Sequence, residues 1–207
     1  MSRLAEVREK LSYQGISLGV IALLTSAALA IANNATHDEI IAAEKRDLQA
    51  SLTQVLPAGI ADNDLLNDTV RLDGPDGVPV TVYRARKAGT VSAAVYQMAA
   101  RGYAADVVVL IGVDMNGRML GARVIKHSET PGLGDKIEIA KTKWILAFNG
   151  KSLGDPAPDK WAVKKDGGIF DQFAGATITP RAVVKAVKSG LDFFAIHRTE
   201  IVQGKTS

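Results

Sequence analysis

Two stretches of this chain combine residue types and spacing able to do chemistry. The first is Asp171-Gln-Phe-Ala-Gly-Ala-Thr177, followed by Ile178-Thr179-Pro180. Ala174, Gly175 and Ala176 carry almost no side chain, so a ligand can approach their backbone closely. Thr177 supplies a hydroxyl, and Thr179-Pro180 is a cap and first-turn pair that opens a helix. Free N–H groups and the positive end of the helix dipole make such a place an anion site suited to a phosphate, which the Thr177 hydroxyl could bind or be esterified to. An ordinary capped helix start satisfies the same pattern. The second stretch is His127-Ser-Glu-Thr-Pro-Gly-Leu-Gly-Asp135. Its glycines and proline prescribe a fixed backbone path, and it offers Glu129, Thr130 and several amides. A tight strand-to-helix connection is the plain alternative.

Other chemistries are excluded by what the 207 residues lack. There is no cysteine, hence no disulfide, thiolate metal site, cysteine-ligated cluster or cysteine nucleophile. His37, His127 and His197 stand far apart, and no metal site is expected. Neither a GxGxxG nor a GxxxxGK[ST] pattern occurs, which removes the Rossmann and Walker nucleotide sites. With 47% apolar and 23% charged residues the chain is foldable throughout. Its net charge of +3 is spread over alternating acidic and basic residues, which leaves nucleic acid no electrostatic footprint.

The elements that must position these stretches begin with an apolar one. From Ile16 to Ala32 no residue is charged, and extension back to Tyr13 approaches the ~20 residues needed to cross a bilayer. Arg3, Arg8 and Lys10 precede it, and His37, Asp38 and Glu39 follow, so the chain should run with its N-terminus cytoplasmic and the remainder outside, periplasmic in a bacterium. A cleaved signal peptide ending at Ala30-Ile-Ala32, or a buried core helix, are the competing readings. A helix is expected over 37–56, closed by Pro57, then a turn-rich loop to Gly77 with room for one short strand. A strand over 78–86 reads as an edge because of Pro79. Strands over 107–113 and 119–125 flank Asn116-Gly117, a hairpin signal. Asp135 should cap a helix running to Phe148, with Ile137, Ala140, Trp144 and Phe148 on one face. In the last helix Val183, Val187, Leu191 and Phe194 should face inward. Hairpins and non-alternating helices give an α+β class.

These residues resemble a known family. Asp171 to Thr177 is similar to the flavinylation motif of periplasmic FMN-binding domains, commonly Asp-x-x-Ser/Thr-Gly-Ala-Thr. His127 to Glu138 resembles that family's second signature, and Lys164 to Asp171 and Leu56-Pro57 through Leu65 also match. Within the family the nearest resemblance is to the G subunits of Rnf-type electron-transport complexes; the C subunits of sodium-translocating NADH:quinone reductases come second. The resemblance implies a single-pass inner-membrane protein divided as residues 1–12 (cytoplasmic), 13–32 (anchor), 33–90 (periplasmic helix and strand region) and 91–207 (FMN-binding domain). It implies FMN joined covalently through its phosphate to Thr177, and Asp171 recognised by the flavin transferase that installs it. Gly175 and Ala176 would flank the attachment, and Glu129, Thr130 and Leu133 would lie against the flavin ring. Other subunits of the complex would be its partners, and electron relay coupled to ion transport its task, with no complete reaction catalysed alone. Ala174 departs from the motif's usual Ser or Thr. An anchored, non-redox ligand-binding or scaffold domain is the alternative from a different class.

Overall fold

The computed structural model describes residues 11–204, with side chains from Tyr13 onward. Arg3, Arg8 and Lys10, the basic flank of the expected anchor, lie outside the described residues, as does most of the 1–12 segment.

Helix α1 runs unbroken over Leu11–Gln54. The sequence suggests an anchor and a separate helix beyond Asn33-Asn34, but those asparagines do not interrupt it. Between Gly19 and Pro57 there is neither glycine nor proline, and the weak helix formers between cost only tenths of a kcal/mol each, up to about 0.7. The helix stops where Pro57 disfavours α geometry for the residues before it. Along the apolar half the hydroxyls bond back to the helix: Ser17 Oγ donates to Gln14 O at 3.0 Å and Thr25 Oγ1 to Ile21 O at 2.9 Å. Such back-bonding satisfies these two hydroxyls without water, as a bilayer interior requires. By length and composition α1 can cross a membrane.

The chain divides between Asp47 and Leu48 into two units. In the second, the described residues form five antiparallel strands in sequence order: β1 (Thr69–Asp73), β2 (Pro79–Lys87), β3 (Thr90–Arg101), β4 (Asp106–Asp114) and β5 (Met119–Lys126). The β4–β5 hairpin turns at Asn116-Gly117, where Asp114 Oδ1 accepts from Asn116 N at 2.8 Å and Arg118 N at 2.9 Å. β2 is not an edge, since β1 pairs outside it; Pro79 sits at its first residue, opposite Asp73, where a missing donor costs least.

Both sheet faces are covered. Helix α2 (Ile178–Gln203) packs on one, burying Val183, Val187, Leu191 and Phe194 against Tyr96, Met98 and Ile111. On the other, Leu52 and Val55 meet Leu65, Ala85, Val95 and Leu110. The backbone at Val55 lies so close to the sheet that a Cβ on Gly112 would stand 2.6 Å from Val55 O, and one on Gly121 2.9 Å from the Val55 Cα. The helix expected over 135–148 is instead two 3-10 turns, Asp135–Ile137 and Trp144–Phe148. Asp135 does not cap, and Thr142 diverts the chain: its hydroxyl donates to Lys136 O at 2.7 Å and accepts from Trp144 N at 3.2 Å. Ile137, Ile145 and Phe148 are buried while Ala140 is exposed. Phe148 then stacks on Phe170 at 4.4 Å and touches Trp161 and Trp144, an aromatic cluster that fixes the segment before Asp171.

Candidate functional site

The two stretches singled out from sequence meet. Together with the turn between β3 and β4 they wall a cavity of about 490 Å³. Its lining includes Glu129, Thr130, Leu133, Gly175, Ala176 and Thr177, six of the seven residues assigned to the site from sequence. Asp171 is the exception. Its side chain is two-thirds exposed and pairs with Lys164 Nζ at 2.6 Å, while its carbonyl accepts from Trp144 Nε1 at 2.8 Å. The remaining lining residues, Tyr103, Gly134, Ile178 and Thr179, were given no site role by sequence reasoning. Thr179 was visible only as a helix-start residue, and nothing in the local sequence marks Tyr103.

Thr177 stands at the N-cap of α2, two places earlier than the Thr179-Pro180 pair suggests, and its side chain makes no capping bond. Among the described residues its hydroxyl has no partner, so it is presented to the cavity beside the first turn of a 26-residue helix. The loop before it is tight, with Ala176 N donating to Phe173 O at 3.1 Å and Gly175 in a left-handed conformation at φ 79°. Ala174 is exposed on that loop.

Glu129 organises the walls. Its side chain is buried, and both carboxylate oxygens are engaged: Oε1 accepts from Tyr103 N at 3.0 Å and Ala104 N at 3.3 Å, and Oε2 accepts from the Thr179 hydroxyl. Charge-assisted bonds to backbone amides are what permit a carboxylate to be buried. The space around it is filled to the backbone. A Cβ on Gly102 would stand 2.5 Å from Glu129 Oε1, and one on Gly134 2.8 Å from Glu129 Cβ and 2.9 Å from Thr179 Oγ1. Behind it, Glu129 N donates to His127 Nδ1 at 3.2 Å, so the ring proton is on Nε2, which donates to Glu138 Oε1 at 2.9 Å. His127 thus orients the loop.

The cavity has two characters. Its lining combines a threonine hydroxyl at a helix N-terminus with apolar surface, Leu133 being 43% and Ile178 45% exposed, and with the aromatic side chain of Tyr103. A phosphate attached to a flat aromatic ring system fits that combination.

Residues 102–192 match the model of the FMN-binding domain, an interval that contains every residue lining the cavity. The fold and site therefore define an FMN-binding protein of α+β class. Residues 1–55 match the RnfG N-terminal region. The G subunit of the ion-translocating oxidoreductase complex of Stutzerimonas stutzeri is 49% identical over 93% of this chain and 84% of its own length; that of Pseudomonas aeruginosa strain PAO1 is 43% identical over 96% and 95%. The crystal structure of Shewanella oneidensis NqrC shares the fold, with a TM-score of 0.58 and 19% identity, covering 77% of this chain and 98% of that one. The chain belongs to the family of G subunits of ion-translocating oxidoreductase complexes. The quinone-reductase C-subunit alternative is not favoured: that likeness is one of fold.

Proposed function

We propose that this chain is the FMN-carrying electron-transfer subunit of an Rnf-type ion-translocating complex, with the flavin joined through its phosphate to Thr177. The observation that carries the attachment is the uncommitted Thr177 hydroxyl, in the cavity and at the N-cap of α2. The dipole and unpaired first-turn amides of such a helix start favour a phosphate there. Leu133 and Ile178 offer apolar surface to a ring, and the near absence of side chain at Gly175 and Ala176 lets a ligand approach the backbone. Glu129 contributes by holding the walls, and Thr130 by accepting from Leu133 N at 3.1 Å and Gly134 N at 3.0 Å, which shapes the loop. FMN, when bound, supplies the redox chemistry. The protein supplies position, and an open-sided cavity leaves the cofactor within reach of a neighbouring subunit.

Asp171, exposed and outside the cavity, suits recognition by a flavin transferase acting from without. The basic residues Arg3, Arg8 and Lys10 ahead of the apolar segment 13–32 support a cytoplasmic N-terminus and a periplasmic flavin domain, with other subunits of the inner-membrane complex as partners.

The test is in-gel fluorescence and intact mass of the full chain co-expressed with a flavin transferase. A fluorescent band with the mass of one added FMN, absent in Thr177→Ala, is expected. A dark band at unmodified mass, alongside an active transferase on a control substrate, would overturn the attachment.

A further inference from the structure

We propose that Tyr103 is a flavin-contacting residue, its phenol ring lying against the isoalloxazine in the cavity. This rests on the FMN reading above and names a residue outside the attachment and loop motifs.

Three observations carry it. Tyr103 lines the same cavity as Thr177, although 74 positions separate them in sequence, and it is the only aromatic among the described lining residues. Its side chain is 69% exposed, so most of its apolar surface is available to a ligand. Its backbone, by contrast, is fixed. Gly102 N donates to Ala105 O at 2.9 Å across the turn, Tyr103 N and Ala104 N donate to buried Glu129, and Arg101 Nη2 donates to Ala104 O at 3.3 Å. An aromatic ring has two side-chain torsions, so a fixed backbone leaves little freedom to lose when a second flat ring packs on it. Exposed aromatic surface on a pre-ordered cavity wall is the arrangement that gains most from stacking. Glu129 is then a positioning residue: it acts on the ligand through Tyr103 and Thr179, its own oxygens being occupied.

A phenol in contact with a flavin shortens its emission, because the photoexcited ring takes one electron from the phenol and returns it, with no net oxidation or reduction. The experiment is time-resolved flavin fluorescence on the full-length, flavin-loaded protein in detergent, with loading checked by mass. In Tyr103→Phe, which removes one oxygen from an exposed ring, and in Tyr103→Leu, the mean lifetime should rise several-fold over wild type. Tyr103→Trp, which restores an electron donor, should keep it short. Lifetimes in Tyr103→Phe and Tyr103→Leu equal to wild type would overturn the contact while leaving the FMN assignment standing. A wild-type protein that carries no flavin would instead remove the assignment itself.

Discussion

Thr177 and Thr179 stand two positions apart at one helix start, and their hydroxyls have opposite circumstances. Thr179 is 1% exposed and donates to Glu129; Thr177 is half-buried and bonded to nothing among the described residues. Replacement by valine, which keeps shape and removes the hydroxyl, separates the two. Thr179→Val leaves a buried carboxylate short of a partner and should cost about 2 kcal/mol, within the range for hydrogen bonds to charged groups. Thr177→Val should leave the stability of the flavin-free protein within about 0.5 kcal/mol of wild type while abolishing flavin attachment. Thermal unfolding followed by near-ultraviolet circular dichroism checks the first effect and intact mass the second. The motif made Thr177 legible from sequence. The hub role of Glu129 was not, because its partners at 103, 104 and 179 are brought to it by tertiary folding and none belongs to its own loop.

Among the elements, those with local chemical signals were the ones read correctly. Asn116-Gly117 announced the β4–β5 hairpin, and the apolar spacing of Val183, Val187, Leu191 and Phe194 announced α2. Strand β3, the longest, went unread because burial alternates only from Tyr96 to Arg101, while in its first half Val91, Ala93, Ala94 and Val95 are buried on both faces and the mark of a one-sided strand is interrupted. The 135–148 segment misleads in the opposite sense: its three- and four-residue apolar spacing suits an α-helix, yet the Thr142 hydroxyl bonds break it into two 3-10 turns. The seam between the end of α1 and the sheet gives an element-scale prediction. Gly112→Ala must push against the Val55 carbonyl, a backbone atom that cannot rotate away, and should destabilise by about 1–3 kcal/mol. Gly154→Ala, where a Cβ meets nothing within 4 Å, should be near neutral in the same chemical denaturation series.

At the scale of the whole molecule, Tyr96 joins the sheet to α2. It is fully buried, donates to Gly190 O at 2.7 Å and packs against Phe193 with ring centroids 5.3 Å apart. Burial raises its phenol well above the usual value of 10.0. The unfolded chain therefore loses this proton at lower pH than the folded one. The contribution is present in full below about pH 10 and is lost as the pH rises toward the folded-state value. Unfolding midpoints should fall over that alkaline window in wild type, and less steeply in Tyr96→Phe, which itself costs about 1 kcal/mol at neutral pH through the lost hydrogen bond. The cavity, too, is a product of the whole fold, its walls drawn from Tyr103 in the β3–β4 turn, from Glu129, Thr130, Leu133 and Gly134, and from residues 175–179. Sharing one carboxylate among those walls also ties their histories together. A lineage that replaces Glu129 inherits two unmatched amides and a stranded hydroxyl, and one that enlarges Gly102 or Gly134 meets the carboxylate itself. Substitutions at 102, 129, 134 and 179 should therefore arise in concert, and the wall should diverge between descendants as a block.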